Sequence, residues 1–128
     1  MHFHERQADL WIVLEGRATV AVVDLRSMIH AGADAPTSDR FEMETGSTLL
    51  IPKGVAHGFL ALEPLALLYL VTEEYDGTDE HGFAWDDPLA GLEWPVSDPI
   101  VSERDRSNPT LVDAVAATRQ RGVLTVER

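Results

Sequence analysis

Apolar and polar residues alternate from the first positions of the chain, so Met1 to Phe3 read as part of a strand already under way. Asp9 to Glu15 and Arg17 to Arg26 are mostly apolar and rich in β-branched and aromatic residues, which predicts two further strands. Glu15-Gly16 between them is a hairpin signal. Ser27 to Asp39 is small and polar, with Gly32 and Pro36, and is expected to be a loop. Short strands are expected at Arg40 to Glu44, Ser47 to Ile51, Ala56 to Leu62 and Leu65 to Thr72. Pro52-Lys53-Gly54 and Glu63-Pro64 turn between them.

The character changes after Thr72. Glu73 to Ser107 is rich in Asp, Gly, Pro and Trp and shows little periodicity. Leu111 to Arg121 has helical spacing, with Leu111, Ala114, Val115 and Ala117 on one face and Gly122 as a stop. Val123 to Val126 is expected to be an edge strand or a loose tail. Many short strands with regular turns predict an all-β sandwich or barrel over about residues 1–75. An irregular and helical segment completes one domain over 76–128.

Charge narrows the partners. The 128 residues carry 22 acids against 10 Lys and Arg, a net charge of −12. Phosphate backbones need a basic footprint, so nucleic acid is not an expected partner, and an anionic membrane surface is disfavoured in the same way. Cysteine is absent, which removes disulfides, thiolate ligands and a cysteine nucleophile. The longest apolar run, Ala61 to Val71, is broken by Glu63 and Pro64 and is too short to span a bilayer. Met1 leads straight into the histidine cluster without a signal pattern, so a soluble cytoplasmic protein is expected.

Chemistry concentrates in two clusters. His2 and His4 stand one residue apart, so on a strand they point to one face. Asp9 and Gly16 follow, and Gly46, Pro52, Gly54 and His57 answer downstream. These spacings resemble the two motifs of the cupins, whose fold is an antiparallel jelly roll. The order of further pieces is more specific: Val23-Asp24-Leu25-Arg26, Ala56-His57-Gly58-Phe59, Leu68-Tyr69, Trp85-Asp86-Asp87-Pro88, Gly91-Leu92-Glu93-Trp94-Pro95 and Val101-Ser102-Glu103-Arg104-Asp105. Over roughly His2 to Leu111 this order resembles the dTDP-4-dehydrorhamnose 3,5-epimerase family, a cupin branch of deoxysugar biosynthesis.

The resemblance implies a nucleotide-linked 4-keto-6-deoxyhexose as substrate and proton removal α to the ketone, with reprotonation from the other face. No redox cofactor is implied. It implies His2 as base, Asp105 as the acid paired with it, and Tyr69 as proton donor. His57 is implied near the C4 oxygen as a hydrogen-bond donor, with Ser102 and Trp94 near the pocket. A homodimer is also implied.

Three departures qualify these expectations. The family carries a further segment before the catalytic histidine, with strands that help form the dimer and an arginine for the nucleotide phosphates. This chain starts at Met1, so either a shortened start or a smaller relative is expected. The family has a lysine where Asp9 stands; Lys53, the single lysine here, is a candidate replacement charge at the pocket rim. The family has Gln where His4 stands. His2, His4, Asp9 and His57 therefore recover the ligand pattern of metal-binding cupins, which suits a divalent transition metal. Two alternatives to the epimerase follow: a metal-dependent isomerase or oxygenase, and a non-catalytic sugar-nucleotide binding cupin.

Overall fold

The computed structural model describes the backbone over residues 1–126 and side chains over residues 1–122. Eight strands occur among them: β1 (His2–Phe3), β2 (Asp9–Glu15), β3 (Arg17–Asp24), β4 (Thr37–Glu44), β5 (Thr48–Ile51), β6 (Val55–Ala61), β7 (Ala66–Val71) and β8 (His81–Gly82). Three helices accompany them: α1 (Arg26–Ala31), α2 (Glu103–Arg106) and α3 (Leu111–Val126). A 3-10 turn spans Pro88–Ala90. The strands form a five-stranded sheet, β4-β3-β6-β1-β8, and a three-stranded sheet, β5-β2-β7. Every paired neighbour runs antiparallel, so the all-β expectation holds.

The hydrophobic pattern explains the layering. β3 is apolar on both faces because both faces are covered. Ala18 and Val20 meet Trp11, Val13 and Ile51 between the two sheets. Ala21 and Val23 meet Met28, Phe83, Leu111 and Val115 under the helices. Each fully buried side chain of this size stabilises the fold by about 1.5–3 kcal/mol. The β2–β3 turn holds because Gly16 has φ 94°, and a Cβ there would stand 2.2 Å from the Pro64 carbonyl oxygen.

The 27–39 segment departs from the expected loop. It opens with α1, which buries Met28 and ends at Gly32 in the left-handed region (φ 70°). β4 then begins at Thr37 rather than Arg40. β3 offers it pairing partners along its whole length, from Arg17↔Glu44 to Asp24↔Thr37.

The 73–107 segment contributes β8 as well, which extends the large sheet beyond β1.

The C-terminal helix also differs from expectation. It continues to Val126, so Gly122 does not stop it and residues 123–126 are helical rather than an edge strand or tail. A mid-helix glycine costs only about 1 kcal/mol, less than a stop requires. Its buried stripe is Leu111, Ala114, Val115 and Thr118, while Ala117 is exposed. Thr118 is accommodated because its hydroxyl donates to the Ala114 carbonyl at 3.0 Å. Arg119 reaches across to the Met28 carbonyl and ties α3 to α1.

Candidate active site

β1 is short, but its register places the chemistry. His2 pairs with His57 on one side and Gly82 on the other. Phe3 is fully buried in the helix-side core. Alternation therefore turns His2 and His4 the other way, into a cavity of about 610 Å³ between the sheets. That volume is ordinary for a small-molecule site. Asp9, Trp11 and Tyr69 line it from the small sheet, where Trp11 and Tyr69 are direct neighbours. Trp94, Ser102 and Asp105 close it from the C-terminal segment.

His2 Nε2 meets Asp105 Oδ1 across 103 residues of sequence. The Ser102 hydroxyl donates to the other carboxylate oxygen at 2.9 Å. Burial acts to raise the Asp105 pKa. The His2 hydrogen bond and charge, together with Ser102, outweigh it, so the carboxyl is held below its usual range. An ionised Asp105 accepts, so His2 Nε2 carries the hydrogen, and in the neutral imidazole the lone pair is then on Nδ1. Ser102 thus touches Asp105 as well as lining the cavity.

His4, Asp9 and His57 form a second group. Each is at most 6% exposed. His4 Nδ1 donates to the Asp79 carbonyl at 2.6 Å, and His57 Nδ1 to the Val55 carbonyl at 3.1 Å. Asp9 Oδ2 lies 3.6 Å from His57 Nε2, and Asp9 Oδ1 lies 4.0 Å from His4 Nε2. Burial pushes the His57 pKa down to about 4, against the opposing pull of the Val55 carbonyl and Asp9. A neutral His57 with its hydrogen on Nδ1 has no N–H to offer from Nε2. The donor role expected for it at the ketone is not what this tautomer provides.

The four-ligand set is divided in the same way. His4, Asp9 and His57 offer ligand atoms within 4.8 Å of one another, while His2 Nε2 is engaged by Asp105. Lys53 is corrected outright. It is exposed in the β5–β6 turn and is not among the cavity-lining residues, because the turn points it to solvent. Trp94 does line the cavity, with its indole N–H given to the Trp85 carbonyl at 3.0 Å.

Two contributors carried no signal in the sequence, and a third, Arg104, was given no role. Gln7 donates to Asp9 Oδ1 at 2.7 Å. Asp79 gathers the backbone N–H groups of Glu5, Arg6 and Gln7 at 2.7, 2.9 and 3.2 Å while its carbonyl holds His4. Arg104 is the one lysine or arginine among the described lining residues, and it is bound to Glu80. The run after Tyr75 has no periodicity that would have flagged Asp79.

Comparison with known proteins identifies the family. A sequence profile of dTDP-4-dehydrorhamnose 3,5-epimerase matches residues 1–113. The spore coat polysaccharide biosynthesis protein SpsL of Bacillus subtilis is 39% identical over 97 residues, 73% of this chain and 64% of that protein. The rmlC epimerase of Mycobacterium tuberculosis superposes with a TM-score of 0.80 at 29% identity, over 91% of this chain and 62% of that one. ChmJ, a 3'-monoepimerase from Streptomyces bikiniensis solved in complex with dTDP-quinovose, gives a TM-score of 0.78 at 28% identity, over 92% of this chain and 62% of that one. This chain therefore spans less than two thirds of the length of each of these relatives. The two-sheet arrangement is the cupin jelly roll expected from the motifs. From the profile match and these relatives, the chain belongs to the dTDP-4-dehydrorhamnose 3,5-epimerase family.

Proposed function

We propose that this chain epimerises a nucleotide-linked 4-keto-6-deoxyhexose, a dTDP-linked sugar in the first instance. The carrying observation is the His2–Asp105 pair in one wall of the cavity, with Tyr69 on the opposing sheet. His2 Nδ1 takes the proton α to the C4 ketone, and the electron pair moves to O4 as an enolate. Asp105 supports the imidazolium that forms. The Tyr69 hydroxyl returns a proton to the opposite face of the same carbon, which inverts it. His2 then loses its proton and Tyr69 regains one through solvent. The oriented carboxylate favours turnover over simple binding, because a binding pocket has no use for an imidazole held as a base.

The nucleotide-sugar class is supported by the dTDP-quinovose complex of ChmJ. A second copy of the chain belongs to the same reading. Leu10, Ile12, Leu50, Leu68 and Leu70 share the outer face of the small sheet, where Leu50 is 68% exposed. No helix among the described residues is long and apolar enough to cross a membrane; a cytoplasmic enzyme is the reading adopted.

Deuterium exchange tests the activity. In heavy water, dTDP-4-keto-6-deoxyglucose should take up deuterium at C3 and C5. His2→Asn should slow this by roughly 10²–10⁴-fold, the usual worth of a positioned base. Binding of the sugar without exchange at either carbon would overturn the reading.

A further inference from the structure

The segment between Trp94 and Ser102 is bonded at its two ends. Trp94 packs against the helix-side core and gives its indole N–H to the Trp85 carbonyl at 3.0 Å. Ser102 caps α2, and its hydroxyl oxygen is bonded to Asp105 at 2.9 and 3.2 Å. Between these anchors, residues 95–101 belong to no strand or helix. Among the described residues they make no hydrogen bond or ion pair. A backbone without internal bonds opens and moves at low cost. Pro95 and Pro99 restrict it, and it holds no glycine, so it moves as a short strap about its ends rather than as a loose coil.

The strap carries apolar side chains over the cavity. Val96, Pro99, Ile100 and Val101 all line it. Yet Val96 is 42% exposed and Ile100 is fully exposed. A lone exposed isoleucine needs no explanation. Here it stands at the mouth of a cavity of about 610 Å³, where Phe59 and Tyr69 are also about half exposed. Turning these side chains inward removes apolar surface from water only when a molecule beneath gives them something to touch. The outer leucine face that suits a second copy is on the other side of the small sheet from Trp11 and Tyr69, so it does not account for them.

We propose that Val96 and Ile100 are ligand-contact residues, carried onto the bound molecule when the 95–101 strap closes over the cavity mouth. The ligand class, a nucleotide-linked 6-deoxyhexose, rests on the epimerase reading. The strap rests on its own geometry. A deoxyhexose suits apolar contacts, since its C6 methyl replaces a hydroxymethyl group. Closure also keeps water from a site where a carbon-bound proton is removed. Ser102 stays bonded to Asp105 while the strap swings about it, so the His2–Asp105 pair is left in place.

The test is backbone amide exchange followed by mass spectrometry, on the full chain with and without saturating dTDP-quinovose, an analogue without the ketone. Amides in 96–101 should exchange more slowly in the complex, while those of α3 change little. Ile100→Ser should raise the Kd for dTDP-quinovose about tenfold, the low end of what a lost apolar contact costs. It should also remove most of the protection. Because Ile100 is fully exposed in the free fold, Tm should not move, which separates lost contact from lost folding. In turnover the same variant should act on KM more than on kcat. Binding without any slowing in 96–101 overturns the strap and leaves the nucleotide-sugar reading standing. Unchanged affinity in Ile100→Ser does the same. Protection that grows with protein concentration and needs no ligand gives the strap to a second copy and overturns ligand closure. Failure of the wild type to bind either dTDP-quinovose or dTDP-4-keto-6-deoxyglucose sinks the nucleotide-sugar reading, and the proposed contact with it.

Discussion

Ser102 holds Asp105 at both ends. Its hydroxyl donates to Asp105 Oδ2 at 2.9 Å, and the same oxygen accepts the Asp105 backbone N–H at 3.2 Å as the cap of α2. With His2 on Oδ1, the carboxylate cannot rotate without breaking one of these bonds. Ser102→Ala should therefore lower kcat for exchange by roughly tenfold, about 1.4 kcal/mol of lost orientation. KM should change little, and Ser102→Thr should recover much of the loss. A change in KM alone would make Ser102 a substrate contact instead.

The depressed pKa of Asp105 links this pair to stability. A carboxyl whose folded pKa lies below its unfolded value of about 3.9 stabilises the fold above that value. The contribution is lost as pH falls through the folded pKa. Urea unfolding of wild type and Asp105→Asn should diverge at neutral pH, wild type being the more stable. The curves should converge as pH drops below about 4. A constant gap down to pH 2 would contradict the assignment.

Gly16→Ala tests the turn that joins the sheets. The residue sits at φ 94°, and the new methyl would lie 2.2 Å from the Pro64 carbonyl oxygen. Backbone strain of this kind costs about 1–3 kcal/mol, and the clash adds to it. The urea midpoint should fall while exchange, measured below the transition, persists.

Lys53→Ala should do nothing to exchange. The side chain is exposed on the β5–β6 turn, away from the cavity lining. Stability should stay within about 0.5 kcal/mol, as for other surface substitutions. A tenfold loss of exchange would return Lys53 to the site.

Leu50→Asp probes the second copy. Leu50 is 68% exposed on the edge strand β5, in the small sheet's outer leucine face. Sedimentation should show a dimer for the wild type and a monomer for the variant. A monomeric wild type would leave that face to another partner.

Much of the site was legible because local spacing carries facing information. His2 and His4 stand one residue apart on a strand edge, so their common face follows from alternation alone. The same rule sends Phe3 to the core, where it lies. β2 and β3 were readable from β-branched runs, and Gly16 from its turn position. α1 was not, because Arg26–Ala31 is too short for a clear helical period and folds through packing of Met28. Gly122 misled because a glycine cost near 1 kcal/mol yields to a helix that is otherwise docked. Ala117 and Thr118 differ by one position, and the helix's rotation against α1 chose between them.

The sequence alone determined which residues were available and in what order, and that order was enough to point to the family. It also put His2 and His4 on one face, because strand alternation acts over a few residues; their meeting with Asp9 and His57 was only what the resemblance implied. Only the tertiary structure decided how they divide. Asp105 reaches His2 from 103 residues away, and Asp79 reaches His4 from 75. Those meetings depend on how the irregular C-terminal segment packs over the sheets, and no local period encodes that. The physical result is that His2 meets Asp105 while His4 and His57 face Asp9.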